Sequence, residues 1–414
     1  MKLSIAIPVY NTPREYLDEC LTSISTSTLD DYEIVMVDDG SAESYRDLAE
    51  KYGARYYRTE NHGILAARIY AVSLCLGDYV AFCDSDDSVS FNYHRPMVDD
   101  AIRTGADIVI NDWAFHTERC RRVCTGDSTI KDDIDVGAPD ITEKFLSQEG
   151  REHSYYVLWN KIYRREVIVE AIERVAALSW VRDSDRRVSF GEDALINFFS
   201  WTGARRVRNL HTGYYFYRIT PNQTVAVTSE NKLRYQIGCM AAVLDTMEEV
   251  ARTLPMSERL LAHIDGWRAL MSRTHYSYAK KMHATVLYPY IKDAYRVTEL
   301  RKSTYRDGAA YAGARTLPTN FSERERALRA VYEAEGDSVR VRYRRNDRYA
   351  EKTLSLIKEE REIKIIRSKN ADLIIPHPHF SLKNRILLNP FVYRLGMLLF
   401  PKGSKIRAML KRKV

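Results

Sequence analysis

The first 110 residues carry five short apolar, β-rich runs, at 3–9, 33–37, 54–57, 79–83 and 107–110, each followed by a turn and then a stretch with helical spacing. Strands alternating with helical segments imply a parallel sheet with helices on both faces, because two parallel neighbours need a crossover long enough to hold a helix. An α/β, Rossmann-like sheet is therefore the expected architecture of this part of the chain. The first helix has its own signals. Thr12 can cap it, Pro13 suits its first position, Glu15 closes a capping box, and Tyr16, Leu17, Cys20, Leu21 and Ile24 share one apolar face.

Beyond residue 115 the pattern is less regular. It predicts a hairpin over 115–124, helices near 141–147 and 166–177, a helix over 190–201 opened by Gly191-Glu192-Asp193, and two strands within 205–218. After Pro221 the spacing is mostly helical over 232–254, 257–282 and 327–366, with breaks near Pro255, Pro289 and 307–320. At 414 residues the chain exceeds the usual size of one hydrophobic core. The expected division is an α/β sheet domain at 1–228, a mainly α-helical region at 229–380 and a basic amphipathic tail at 381–414.

Charge placement says more than the net +7. Residues 383–414 hold nine lysines and arginines and no acidic residue, so the chain before them is slightly acidic. The basicity is a local anchor, not the surface of a nucleic-acid-binding body. The tail's apolar runs, interrupted by Pro390 and Pro401, are too short to span a bilayer but suit a helix lying on an anionic membrane. No other window approaches a spanning segment, and Pro8 makes residues 1–9 read as a strand and not a leader. The six cysteines form no C-x-x-C pair, and several sit in apolar runs, which points to a reducing compartment. The expected location is the cytoplasm, peripheral on the inner face of the plasma membrane.

In an open α/β sheet, ligands bind beyond the carboxyl ends of the strands, where strand order reverses. Three groups fall at such ends: Tyr10-Asn11, Asp38-Asp39-Gly40-Ser41 and Asp84-Ser85-Asp86-Asp87. The last delivers three carboxylates within four residues, and like charges so close repel unless a cation neutralises them. Oxygen-only ligands suit Mg²⁺ or Mn²⁺ bridging the phosphates of a nucleotide diphosphate better than they suit zinc. Glycine-rich dinucleotide and triphosphate loops are absent, which disfavours a dinucleotide enzyme, an NTPase or a nucleotidyltransferase.

The motifs continue in order. Ile5-Ala6-Ile7-Pro8-Val9-Tyr10-Asn11, the two acidic loops, Asn61-His62-Gly63 with Ala67-Arg68, Trp159-Asn160-Lys161 with Tyr163, Gly191-Glu192-Asp193 and Tyr214-Tyr215-Phe216-Tyr217-Arg218 resemble the family-2 glycosyltransferases with the GT-A fold. The resemblance implies an inverting, metal-dependent transfer of a hexose or N-acetylhexosamine from a UDP-sugar, with Mn²⁺ or Mg²⁺ as cofactor. It puts Pro8, Tyr10, Asn11, Asp38, Asp39, Arg68, Asp84, Ser85, Lys161 and Arg218 at the nucleotide sugar. In that scheme Tyr10 stacks on the base, Asp39 accepts its imide hydrogen, Asp84 holds the ribose, and Lys161 and Arg218 reach the phosphates or acceptor. Asp86 holds the metal. Asp193 takes the proton of the acceptor hydroxyl on the face opposite the leaving diphosphate, and Glu192 orients sugar hydroxyls. Ile69 stands where the family often has asparagine.

The implied acceptor is a cell-surface polysaccharide or a lipid-linked glycan, and a second copy of the chain is a candidate partner. The alternative is a catalytically inactive subunit of the same type that binds glycan or a partner transferase. The retained carboxylates speak against it.

Overall fold

The computed structural model describes residues 1–90, 92–117, 122–125, 138–149, 153–184, 188–219, 227 and 229–301, together with short strands within 316–363. The chain divides into two compact units, the first covering residues up to 337. It opens with β1 (Leu3–Val9), α1 (Arg14–Ser25), β2 (Tyr32–Asp38), α2 (Arg46–Lys51), β3 (Arg55–Arg58), α3 (Ile64–Leu74) and β4 (Tyr79–Phe82). Next come β5 (Ser88–Val89), α4 (His94–Thr104), β6 (Ile108–Thr117), β7 (Arg122–Thr125), α5 (Ala138–Leu146), α6 (His153–Tyr156) and β8 (Lys161–Arg164). Then follow α7 (Arg165–Ala177), α8 (Ser179–Asp183), α9 (Glu192–Gly203) and β9 (Val207–Ile219). Three helices, α10 (Glu230–Ala251), α11 (Ser257–Lys281) and α12 (Leu287–Tyr295), and the short β10 (Thr316–Leu317) complete the described part of this unit.

The sheet runs β10-β7-β6-β8-β4-β1-β2-β3, with β9 beside β6 and β5. β1 pairs in parallel with both β2 and β4, so chain order reverses beside β1 and the crevice belongs at the carboxyl ends of β1, β2 and β4. Period-two alternation makes both faces apolar. Ile5, Ile7, Ile34, Met36 and Ala81 enter one core with Leu17, Leu21 and Ile24 of α1. Ala6, Val35, Val37, Val80 and Phe82 enter the other with Leu65 of α3 and Phe198 of α9. Each fully buried Val, Ile, Leu or Phe stabilises by about 1.5–3 kcal/mol.

The same second core takes in Leu233, Ile237, Val243 and Leu244 of α10 and Trp267 of α11. Trp267 lies against Phe145 with ring centroids 6.0 Å apart, and its indole N–H donates to the Leu146 carbonyl at 3.0 Å. The helices after residue 229 are thereby fastened onto α5 and α9. Among the described residues no helix is long and apolar enough to cross a membrane. The tail at 381–414 lies outside the described residues.

Several local expectations change. Thr12 does not cap α1. Pro13 occupies the cap position without a side-chain bond, because the Thr12 hydroxyl is taken by Ser85 Oγ at 2.6 Å. One strand was not expected at all: β8, too short and too flanked by cations to stand out in sequence, lies antiparallel between β4 and the strand that contains the 107–110 run. Residues 205–218 form one strand, not two, with an irregularity where its register on β6 shifts after Ile110. The break expected near Pro289 falls just before it, between the end of α11 at Lys281 and the start of α12 at Leu287. Pro289 itself sits in the first turn of α12, where its missing N–H has no partner to lose. The hairpin expected over 115–124 forms from β6 and β7.

In the second unit, the described residues within the stretch expected to be helical at 327–366 form two antiparallel hairpins. These are β11 (Arg342–Asn346) with β12 (Tyr349–Thr353), and β13 (Ser355–Lys358) with β14 (Arg361–Ile363). The 342–353 stretch is crowded with charged residues and tyrosines and offers no sustained apolar face, so helical spacing there has little to bury.

Candidate active site

The loop after β1 is tied to the loop after β2. Asn11 adopts a left-handed φ of 49°, which asparagine tolerates better than most residues. Its backbone N–H donates to Ser41 Oγ at 2.9 Å, and its side-chain carbonyl accepts from the Ala42 N–H at 2.8 Å. Pro8, one residue before the end of β1, lies in register with Val37. Tyr10 is 54% exposed, leaving its ring face open.

The two aspartates after β2 face different ways. Asp38 is completely buried. It accepts from the Ser41 N–H at 2.9 Å and from the Tyr56 hydroxyl, with Arg58 Nε 3.7 Å away, so its carboxylate shapes the turn. Asp39 accepts from the backbone N–H groups of His62 and Gly63, both at 2.8 Å, and so draws the start of α3 to the sheet edge. Gly40 between this turn and that loop has φ of 76°, and a Cβ there would sit 2.7 Å from the Asn61 nitrogen. Only glycine fits.

Arg68 on α3 is the centre of the site. It is 3% exposed, and its guanidinium donates to Asp84 Oδ1 at 3.1 Å, to Glu192 Oε1 at 3.1 Å and to Asp193 Oδ1. Two segments far apart in sequence, the loop after β4 and the start of α9, are thus brought to one cation. Gly191, with φ of 82°, turns the chain so that Glu192 and Asp193 occupy the first turn of α9, where the helix dipole favours negative charge. Burial pushes the Asp193 carboxyl up and Arg68 pulls it down. Asp84 adds to the rise, while Lys161 and the Leu158 N–H oppose it. Glu192 is pushed up to about 7 by burial and by its neighbour Asp193. Arg68 itself stays charged, since the three carboxylates outweigh its own burial.

On the loop after β4, Asp84 faces Arg68 and Ser85 faces Thr12. Asp86 is pushed up to about 6 by burial and by Asp84, and it makes no ion pair among the described residues. A half-buried carboxylate whose upward shift the charge of Arg218 opposes only in part suits a divalent ion. No set of three His, Cys, Asp or Glu side chains among the described residues could hold one without help. One carboxylate completed by substrate phosphates is the common form of a Mg²⁺ or Mn²⁺ site, so the residues present fit a metal that arrives with a diphosphate.

Lys161 and Arg218 are engaged inside the protein. Lys161, 1% exposed, donates to the carbonyls of Ser154 and Val157 and to Asn160 Oδ1 at 2.7 Å, which folds the 154–160 segment around its ammonium. Arg218 donates from Nε to the Asp86 carbonyl at 2.6 Å and from Nη2 to Glu19 at 2.7 Å, and it lies 4.2 Å from the Tyr16 ring centroid. Both shape loops around the site. One supporting residue escaped sequence reasoning. Asn197 donates to the carbonyls of Asp193, Tyr156 and Val157 and accepts from the Tyr163 hydroxyl at 2.8 Å. Its signal was a lone amide four residues after Asp193, between the apolar residues Ile196 and Phe198.

A family model described as "Glycosyl transferase family 2" matches residues 4–170. Residues 4–170 belong to that glycosyltransferase family. The uncharacterized glycosyltransferase EpsJ of Bacillus subtilis is 29% identical over 230 residues, 54% of this chain and 63% of EpsJ. The poly(ribitol-phosphate) beta-glucosyltransferase of Bacillus spizizenii is 41% identical over 98 residues, 22% of this chain and 15% of that protein. The chain therefore spans less than two thirds of the length of these relatives. The crystal structure of S. aureus TarS 1-349 in complex with UDP-GlcNAc aligns with a TM-score of 0.53 at 19% identity, over 88% of this chain and 100% of that one. The likeness to TarS is one of fold, and together with the strand order it identifies the GT-A fold.

Proposed function

We propose that this chain transfers a hexose or N-acetylhexosamine, with inversion, from a UDP-sugar to a cell-surface polymer or lipid-linked glycan. The observation that carries the reading is the convergence of Asp84, Glu192 and Asp193 on buried Arg68 at the carboxyl edge of the sheet. Uridine is favoured because TarS, of the same fold, was crystallised with UDP-GlcNAc. The polymer acceptor follows the name of the Bacillus spizizenii relative.

Asp193 is assigned as the base. It takes the proton of the acceptor hydroxyl as that oxygen bonds to the anomeric carbon, while the bond from that carbon to the diphosphate breaks and its electron pair leaves with the diphosphate. Arg68 keeps Asp193 ionised for this step and holds Asp84 toward the ribose. Tyr10 stacks on the base beside Asp39, with Asn11 and Ser85 fixing the loops around them. Glu192 orients sugar hydroxyls. A divalent cation, Mn²⁺ or Mg²⁺, bound through Asp86 would supply charge neutralisation for the leaving diphosphate. The helical region from 229 onward is assigned to acceptor or partner contacts, and the basic tail at 383–414 to an anionic membrane surface.

The test is thermal shift and slow donor hydrolysis against a panel of nucleotide sugars, with and without manganese. One UDP-sugar should raise Tm and release UDP, more strongly with the metal. If no nucleotide sugar in the panel binds or is cleaved, the reading fails.

A further inference from the structure

Asp87 and Tyr215 have no part in the chemistry above, yet they are among the most enclosed polar groups near it. Asp87 is 1% exposed and Tyr215 is 0% exposed. The Tyr215 hydroxyl accepts from the Asp84 N–H at 3.0 Å and donates to Asp87 Oδ2 at 2.7 Å, spanning the acidic loop from its first residue to its last. The Arg218 N–H donates to Asp87 Oδ1 at 2.6 Å, and Arg218 Nε donates to the Asp86 carbonyl at 2.6 Å. One strand, β9, therefore grips residues 84–87 at four atoms.

The grip is rigid because its base is rigid. Tyr215 stacks on Trp159 with centroids 4.5 Å apart and planes 16° apart, while β9 is in register with Val89 on one side and Trp113 on the other. The hydroxyl has one place to be. A carboxylate is also an expensive way to fill a core position, since an apolar side chain would pack there without needing partners. Here its two oxygens fix the backbone between Asp84 and Asp87, and hence the directions in which Asp84 and Asp86 point.

We propose that Tyr215 and Asp87 are positioning residues for the donor diphosphate, setting the geometry of the loop that presents Asp84 and Asp86. The inference rests on the donor-site reading of that loop. Its consequence is a selective one. Loosening the loop weakens nucleotide binding, whereas Asp193 and Arg68, held by α9 and α3, keep their place.

The experiment compares wild type with Tyr215→Phe, which keeps the stacked ring and removes only the hydroxyl. UDP affinity is measured by calorimetry with and without Mn²⁺, alongside Tm and the kcat and KM of donor hydrolysis. Loss of two hydrogen bonds to the loop should raise the UDP Kd and the donor KM about tenfold while kcat changes less than threefold. Asp87→Asn, read in the same way, serves if Tyr215→Phe does not fold. A lower kcat at unchanged KM and unchanged UDP affinity reports only lost folded fraction and overturns the assignment. Wild-type behaviour of both variants overturns it as well. If the wild type itself binds no UDP, the donor-site reading falls and this inference falls with it; UDP binding by wild type that the variants share equally sinks the positioning role alone.

Discussion

Arg68→Met removes the one cation shared by Asp84, Glu192 and Asp193 while keeping much of the side-chain volume. Removing one partner of a buried ion pair costs about 3–5 kcal/mol, because the remaining charge stays desolvated. The three carboxylates are 26%, 11% and 22% exposed, so water relieves part of that cost and the lower half of the range, about 3–4 kcal/mol, is expected. At 2–4 °C per kcal/mol for a large domain, Tm should fall by roughly 6 °C or more. The catalytic consequence is separable. Burial raises the Asp193 carboxyl and Arg68 opposes it, so without Arg68 the base holds its proton to higher pH. The acid limb of the pH profile for sugar transfer should move upward. Near neutrality the rate should fall by a large part of the 10²–10⁴ that a positioned base contributes, and recover as pH rises. Differential scanning fluorimetry and a pH series of initial rates on the folded protein measure the two effects. An Arg68→Met protein with wild-type Tm and an unmoved acid limb would refute the idea that this arginine is the counter-ion of the base.

Three further perturbations follow from the same geometry. Glu192 is pushed up to about 7 from an ordinary 4.5, so the folded chain keeps a proton that the unfolded chain releases. That stabilisation is full below about 4.5 and is lost as pH rises through 7. Relative to Glu192→Gln, wild type should therefore lose up to about 3 kcal/mol between pH 5 and pH 8 in urea unfolding, and parallel stability curves would contradict it. Lys161→Met should strip donors from buried carbonyls at about 1–3 kcal/mol each and lower Tm, leaving UDP affinity of the folded protein unchanged. Weakened UDP binding at normal stability would instead restore Lys161 to the phosphates. Gly191→Ala should cost about 1–2 kcal/mol in chemical denaturation, since φ is 82° and a Cβ there would sit 3.1 Å from Met240 Cε. No loss of stability would show that the turn before α9 is not constrained.

Much of the sheet was legible because β1, β2 and β4 are buried on both faces and so read as continuous apolar runs bounded by turns. The acidic loops were legible for a related reason: carboxylates directly after such runs have to lie at the strand ends. What could not be read was which side chain meets which. Lys161 and Arg218 look like free cations in a sequence, and only the folded backbone brings the Ser154 and Val157 carbonyls to one and Glu19 to the other. Asp38 and Asp39 are adjacent and chemically identical, yet a turn buries the first against Tyr56 and aims the second at the start of α3. β8 was missed because four residues ending in cations carry no period. Arg68 was found by motif, but its three-way pairing depends on α3 and α9 meeting across 124 residues of chain.

The sharpest measurement is the paired behaviour of Asp193→Asn: UDP affinity by calorimetry and single-turnover sugar transfer, on the same preparation. The substitution is isosteric and removes the charge of the carboxylate together with its ability to take a proton, while its Oδ1 can still accept from Arg68. Transfer should fall by 10² or more while the UDP Kd stays within threefold of wild type. Transfer at an undiminished rate would show that the carboxylate gathered by Arg68 is not the base, and that the chemistry lies elsewhere in the molecule.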